Sequence, residues 1–177
     1  MKNSILPLLI VLTFCFTNCK KNKTDSNLLP PATQDGKNTL GFLLNGQLWK
    51  PEGFNGTANL SLYYDPLYSA GVFNLAAYKI FNTTGSRQRI TFFGDTIQTA
   101  QKIFLPSKRF GFVFRDNISG CDYDTTDSSE NIILGGFFDI QKLDKINGIF
   151  AGVFDIKIKK NGCQDIQMIN GRFDMKF

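Results

Sequence analysis

Hydrophobic and polar residues alternate along much of the chain after residue 39. In the clearest run, Phe110, Phe112 and Phe114 occupy every second position, with polar or small residues between them. The same period returns near the C-terminus, where two further sets share one face each: Ile146, Phe150, Phe154, Ile156 and Ile158, and then Ile169, Phe173, Met175 and Phe177. A period of two is typical of strands with one face in a core and one in water. The pattern predicts antiparallel β structure.

Turn signals separate these runs. Asn-Gly pairs begin at Asn45, Asn147 and Asn161, and both residue types readily adopt the positive φ that hairpin turns need. Asn170-Gly171 instead lies inside an alternating run, and the apolar parity changes across it, which predicts a β-bulge.

The fold predicted from these signals is all-β, with about nine strands in one domain. Residues 95–101 are the one stretch suited to a short helical turn, with Asp95 as its cap. A single antiparallel β-sandwich and an up-and-down barrel both fit, and periodicity does not choose between them.

Residues 1–18 are predicted to be an export signal. Lys2 supplies a positive charge, and the twelve residues from Ile5 to Phe16 are mostly apolar. A membrane span takes about 20 apolar residues, so this run is too short to be one.

A cysteine follows the apolar run directly. Residues 16–19 read Phe-Thr-Asn-Cys and precede a basic stretch, and this arrangement resembles the lipobox of bacterial lipoproteins. The resemblance implies that the thiol of Cys19 is lipidated and that Cys19 becomes the first mature residue. Phe16 and Asn18 depart from the usual Leu and the usual small residue of the box. Cys15 fits the box less well, and an A-x-A-like site for ordinary cleavage is missing nearby.

The chain is therefore expected to divide into three parts. After the signal peptide, residues 19–38 are rich in polar residues and proline and are predicted to form a flexible tether with a reach of ~25 Å. Two or more acyl chains on Cys19 would hold the protein stably on a membrane, whereas one chain does so only marginally. Residues 39–177 would form the β domain.

Two cysteines remain beyond the leader, Cys121 and Cys163, and both lie in turn-like sequence. In an oxidising compartment an even remainder of two is most simply one disulfide. Two free buried thiols are the alternative.

Charge and composition exclude several functions. The formal net charge is +5, but from residue 39 onward there are 15 basic and 13 acidic residues, a net of +2, with no basic stripe interleaved with aromatics. Nucleic-acid binding is therefore not expected, and Arg87 and Arg89 have the spacing of a solvated strand face. The chain has no His, which excludes a Ser-His-Asp triad, a Cys-His dyad and a His-built zinc site. No cofactor is expected.

One acidic cluster is a candidate for binding Ca²⁺, which takes six to eight oxygen ligands. Its members are Asp122, Asp124, Asp127 and Glu130. The spacing does not match an EF-hand, and a solvated hairpin loop is the simpler explanation of the cluster. A hydrolase would need two opposed carboxylates, whereas Asp139 and Asp155 lie on the polar parity of their strands.

Several motifs point to a family. The opening Asn45-Gly46-Gln47-Leu48-Trp49 and the closing Gly171-Arg172-Phe173-Asp174 resemble an uncharacterised family of Bacteroidetes envelope lipoproteins, a domain of unknown function. Asn147 and Ile149 stand where that family usually has Ser and Thr. The resemblance implies a fold and a location but no activity. Export to the outer surface in these bacteria is associated with acidic residues soon after the lipid cysteine, and here that stretch is basic, which favours an outer-membrane lipoprotein facing the periplasm.

The function expected from the sequence is non-catalytic: a β domain, held on the membrane by its N-terminal lipid, that binds an unknown protein or small ligand or has a structural role. The alternative is a carboxylate-dependent hydrolase, for example one acting on glycans. Five aromatic residues are candidates for ligand contact, each with half-buried packing as the competing explanation: Trp49, Tyr63, Tyr64, Tyr68 and Tyr78.

Overall fold

A computed structural model describes residues 28–127 and 131–177. The predicted signal peptide, Cys19 and Glu130 lie outside the described residues. Eleven strands are present in the described part: β1 (Thr39–Leu44), β2 (Gln47–Trp49), β3 (Leu60–Asp65), β4 (Val72–Ile80), β5 (Arg87–Gly94), β6 (Gln101–Leu105), β7 (Phe110–Asp116), β8 (Cys121–Asp124), β9 (Ile132–Asp144), β10 (Ile149–Lys160) and β11 (Ile166–Lys176).

The strands form two sheets packed against each other. The six-stranded sheet has the order β2-β1-β11-β10-β9-β6, and the five-stranded sheet has the order β3-β4-β5-β7-β8. Every neighbouring pair is antiparallel. The all-β prediction is confirmed, and of its two alternatives the sandwich is the one observed. The expected number of about nine strands is too low, because short strands such as β2 and β8 give too few alternations to be seen in the sequence.

Phenylalanine rings fill the space between the sheets. The ring of Phe92 on β5 lies 5.3 Å from Phe138 on β9 and 4.9 Å from Phe154 on β10. Phe138 also stacks on Phe173 of β11 at 4.8 Å. All four side chains are fully buried or nearly so. Ring pairs at these distances add to the stability gained from burial itself, so most of the abundant Phe serves the core.

The predicted bulge is present in β11. Phe154 pairs with Gly171 whereas Ile156 pairs with Met168, so two residues of β11 stand opposite Asp155. Asn170 has a φ of 54°, and its backbone N–H donates a 2.7 Å hydrogen bond to Oδ1 of Asp155. The bulge explains why the buried parity changes within this strand.

Two local predictions are wrong. Residues 95–101 form no helical turn, because the N–H groups of Thr96 and Ile97 bond to the carbonyls of Ser69 and Gly71 on a neighbouring loop. Ile146 shares the parity of the buried positions of β10 but lies in the preceding turn, where it is 96% exposed. In both cases a hairpin or loop connection overrides the local pattern.

The structure also differs from the predicted flexible tether. Residues 30–38, here called the N-terminal strap, lie against β11. The Asp174 carboxylate accepts hydrogen bonds from the Thr33 hydroxyl at 2.5 Å and from the N–H groups of Asp35 and Gly36 at 3.1 and 2.7 Å. Asp174 is only 1% exposed. A buried carboxylate needs such donors, and the strap supplies them.

Further contacts fix both ends of the strap. The guanidinium of Arg172 donates to the Pro30 carbonyl at 3.0 Å, and the N–H of Lys176 donates to Oδ1 of Asn38 at 2.9 Å. This part of the predicted tether is therefore a surface element of the β domain.

The disulfide prediction is confirmed. Cys121 of β8 and Cys163 of the β10–β11 turn are joined, with their Cα atoms 6.0 Å apart. The bond links the two sheets at one end of the sandwich. Beside it the Tyr123 hydroxyl donates to the Gln164 carbonyl at 2.6 Å, a second link between the same two elements.

Candidate functional site

The outward face of the five-stranded sheet carries a polar groove. Along β5 the inward positions hold Gln88, Ile90 and Phe92, so period two places Arg87, Arg89, Thr91 and Phe93 on the opposite face. The surface that these four residues share with their neighbours on β3, β4 and β7 is here called the arginine groove.

Small side chains make the floor of the arginine groove. Ser61, Ala76, Thr91 and Val113 are direct neighbours across four adjacent strands. A row of larger side chains flanks the floor on each side. One row is Tyr63, Asn74 and Phe93, and the other is Tyr78, Arg89 and Arg115.

The groove consists of adjoining depressions. One of about 300 Å³ is bordered by Arg87 and Arg89, and a second of about 350 Å³ shares Arg89 and extends to Phe93 and Arg115. A third, of about 380 Å³, continues past Phe93 towards Lys108. The groove is thus an elongated surface feature rather than a closed cavity.

Positive charge is concentrated in this groove. Arg89 lies directly opposite Arg115 in the β5–β7 pairing, and like charges in that relationship are unfavourable. Nε of Arg115 lies 3.9 Å from a carboxylate oxygen of Asp122. Within residues 28–127 and 131–177, no carboxylate forms an ion pair with Arg87 or Arg89. Guanidinium groups stay charged at any physiological pH and match the geometry of carboxylate, sulfate and phosphate.

One wall of the groove is a fixed loop. The Tyr78 hydroxyl is 2.6 Å from the Thr57 carbonyl and 2.8 Å from Oδ1 of Asn55, which holds the loop over β4. Nδ2 of Asn59 donates to the Gly53 carbonyl at 2.9 Å and closes the base of the loop. This wall is therefore preformed.

Phe93 is also held in place. Its ring lies over Gly111 of β7, so close that a Cβ built on Gly111 would be 2.0 Å from a ring carbon. The absence of a side chain at 111 lets the ring lie flat on the sheet. Phe93 is half-buried and presents its remaining surface to the groove.

The five candidate aromatics separate into two groups. Trp49 and Tyr64 are buried in the core, and the Tyr64 hydroxyl donates to the Ile97 carbonyl at 2.7 Å, which favours the packing explanation for both. Burial is the main cause that raises the pKa of Tyr64, and the charge of Asp65 raises it further. Tyr78 is 8% exposed and supports the groove wall.

Tyr63 and Tyr68 are exposed. Tyr63 is 59% exposed on the groove side of β3, and the charge of Asp65 is the main cause that raises its pKa. Tyr68 lies in a single 3₁₀ turn after β3, outside the groove. N–H groups of Leu67 and Tyr68 donate to the Asp65 carboxylate and lower its pKa, so this loop is tied to the end of β3.

The acidic cluster is dispersed where it is described. Asp122 faces Arg115, and Oδ1 of Asp124 accepts bonds from the N–H and hydroxyl of Thr126 at 2.9 and 2.6 Å. The Asp127 N–H donates to the Asp124 carbonyl. Leaving aside residues 1–27 and 128–130, no three metal-ligating side chains come together. The Ca²⁺ site stays a prediction, because Glu130 lies outside the described residues.

Other carboxylates have structural contacts. Asp139 pairs with Lys102 at 3.6 Å, and Glu52 pairs with Lys79 at 3.5 Å. Asp155 holds the bulge and Asp174 holds the strap.

A second surface depression, of about 520 Å³, lies beside the strap. Its lining is more apolar and includes Leu28, Pro30, Pro31, Leu40 and Pro51. Leu28 is the first described residue, so this depression adjoins the point where the chain enters the described structure.

The arginine groove was not predicted from the sequence. The spacing of Arg87 and Arg89 indicated that they share a strand face, and that interpretation is correct. Their neighbour Arg115 comes from β7, because β6 leaves this sheet and joins the other one. Local periodicity contains no signal for that pairing.

Comparison of the chain with protein-family models, curated proteins and solved structures finds no match. None of the described segments is a helix with the length and apolar character needed to cross a membrane.

Proposed function

We propose that this protein is a lipid-anchored cell-envelope protein whose β domain binds a ligand at the arginine groove without catalysing a reaction. The observation that carries the binding function is the pair Arg87 and Arg89, two permanently charged groups without an ion-pair partner among the described residues. They line one open depression on the sheet face, where an anionic ligand can contact both guanidinium groups.

The anchor rests on the N-terminal sequence. Its support is the short apolar run that ends at Cys19, the basic stretch after it, and the resemblance to envelope lipoproteins. The same basic stretch, which lacks acidic residues after Cys19, supports outer-membrane attachment facing the periplasm. A disulfide between Cys121 and Cys163 is in keeping with an oxidising compartment.

Tritiated palmitate labelling with membrane fractionation tests the anchor. The full chain should be labelled and found in the membrane fraction, and Cys19→Ala should lose both properties. Cys15→Ala is the matched control, because it removes the other leader cysteine and should leave labelling unchanged. Equal labelling of the chain and Cys19→Ala would overturn the anchor.

Protease treatment tests the membrane face. A periplasm-facing domain should be protected in intact cells and digested once the outer membrane is permeabilised. Digestion in intact cells would place the domain on the outer surface instead.

A further inference from the structure

We infer that the ligand of the arginine groove is a linear acidic polysaccharide, recognised through its carboxylate or sulfate groups. This inference rests on the proposed binding function and adds the class of ligand. Its starting point is the arrangement of three guanidinium groups, Arg87, Arg89 and Arg115, on one exposed sheet face.

The spacing of the arginines suits more than one anionic group. Arg87 and Arg89 are two residues apart on β5, which places their Cα atoms about 7 Å apart along the strand. Arg115 is the direct neighbour of Arg89 on β7. Each guanidinium can form two parallel hydrogen bonds to one oxoanion. A ligand with repeated charges would also offset the repulsion between Arg89 and Arg115.

The length of the groove points to a chain rather than a single ion. Arg87 and Phe93 are six residues apart on β5, a distance of about 20 Å. The depression beyond Phe93 adds two cationic residues, Lys108 and Arg109, and one acidic residue, Asp95, at the far end. Positive groups therefore occur at both ends of an elongated surface.

The uncharged lining suits hydroxyl groups. Ser61 and Thr91 present hydroxyls and Asn74 an amide, groups that both donate and accept hydrogen bonds as sugar hydroxyls do. In the part of the chain that the structure describes, no hydrogen bond engages these three side chains. Ser61 and Asn74 are exposed and available to a ligand that lies on the floor, whereas Thr91 is largely buried.

Two other polyanions fit less well. An acidic peptide that adds a strand binds at a sheet edge, whereas this groove crosses a sheet face. A single-stranded nucleic acid binds by successive stacking on aromatic rings in a strongly basic channel. Here the floor between the rings of Phe93 and Tyr78 is made of small side chains, and the net charge from residue 39 onward is only +2.

Binding by the chain of residues 1–177 in detergent should be measured by calorimetry with four probes: polygalacturonate, heparin, neutral dextran and an oligo-dT strand. We expect salt-dependent binding to polygalacturonate, heparin or both, and none to dextran. The first two arms distinguish carboxylate from sulfate recognition. The inference would be overturned if the protein bound neither polygalacturonate nor heparin, or if it bound oligo-dT more tightly than both.

Three variants locate the site. Arg89→Ala and Arg87→Ala should each weaken binding about tenfold or more, because each removes charge-assisted hydrogen bonds. Lys157→Ala is the matched control, because it removes one exposed charge from the other sheet and should leave affinity unchanged. Equal weakening by Lys157→Ala would show a non-specific charge effect and overturn the site.

Folding and anchoring are each measured independently of glycan binding. A melting temperature within about 2 °C of wild type shows that an arginine variant is folded, and Arg89→Lys, which keeps the charge but loses the planar fork, should have intermediate affinity. Palmitate labelling does not depend on the groove. If the wild-type protein is labelled but binds neither acidic glycan, this inference alone is refuted, whereas absence of labelling refutes the anchor.

Discussion

The Trp49 indole N–H donates a 2.9 Å hydrogen bond to Oε1 of Gln88 inside the core. Trp49 belongs to β2 of the six-stranded sheet and Gln88 to β5 of the five-stranded sheet, so the bond joins the two layers. Gln88 is one of few polar side chains buried in the described core, at 7% exposed. Its neighbour in the sequence is the first arginine of the groove.

Replacing this acceptor should destabilise the sandwich. Gln88→Leu leaves the indole N–H buried without a partner, which costs about 1–3 kcal/mol of unfolding free energy. Urea unfolding followed by fluorescence measures the loss, and Trp49 is the chain's single tryptophan. The same substitution should cost less in a Trp49→Phe background, followed there by circular dichroism. Equal costs in the two backgrounds would show that the hydrogen bond is not the cause.

Acid stability should depend on Asp174. Burial alone would raise the pKa of this carboxyl, but hydrogen bonds from Thr33, Gly36, Asp35 and Lys37 outweigh it and hold the pKa below its usual 3.8. Because the folded pKa lies below the unfolded one, the carboxylate stabilises the fold above about pH 4, and that stability is lost as the pH falls through the folded pKa.

Asp174→Asn tests this dependence. The difference in unfolding free energy between wild type and the variant should be largest above about pH 4 and should shrink towards pH 2. Asp165→Asn is the control, because Asp165 forms an exposed ion pair with Lys159 at 3.0 Å and such pairs contribute about 0–1 kcal/mol. A pH-independent difference for Asp174→Asn would contradict the assignment.

Removing the disulfide should lower stability substantially. The Cys121–Cys163 bond closes a separation of 42 residues, and a loop of that length corresponds to roughly 4 kcal/mol in the chain-entropy treatment. Urea unfolding of the Cys121→Ser, Cys163→Ser double variant gives the value, and reductant should change only the wild type. Mass spectrometry after alkylation without reductant should find neither thiol labelled in the wild type.

Glycine at position 170 should leave the stability of the protein nearly unchanged, whereas a β-branched residue there should lower it. At a φ of 54°, Asn170→Gly should stay within about 0.5 kcal/mol of wild type, whereas Asn170→Val should cost about 1–3 kcal/mol. Thermal unfolding of the two variants measures both. Equal stabilities would mean that the strand can pair without the bulge.

Alternation in the sequence predicted the buried face of most strands, and its failures have local causes. Phe110, Phe112 and Phe114 are all buried as predicted. Ile146 is exposed, although alternation predicts it to be buried, because it lies in the turn before β10 begins. Asp174 departs from the pattern in the opposite direction. It lies at a position of β11 that alternation predicts to face water, yet the strap covers it.

The arginine groove could not be predicted from local sequence patterns, because it depends on which strands pair with each other. Alternation places Arg89 on a strand face, but the residue beside it depends on which strand pairs with β5. The chain leaves the sheet for β6 before it returns as β7, so the contact between Arg89 and Arg115 spans a crossover. Of the predicted aromatics, only Tyr63 and Tyr78 belong to this surface.

The strap also determines which contacts of the domain are loaded first when a pulling force acts from the N-terminal side. Among the described residues, a pull from the N-terminal side acts first on the contact between Pro30 and Arg172, and then on the bonds to Asp174. Only when those contacts have broken does force reach Thr39 and the pairing of β1 with β11. Contacts of residues 30–38 would therefore carry tension from the N-terminus before the pairing of β1 with β11 does.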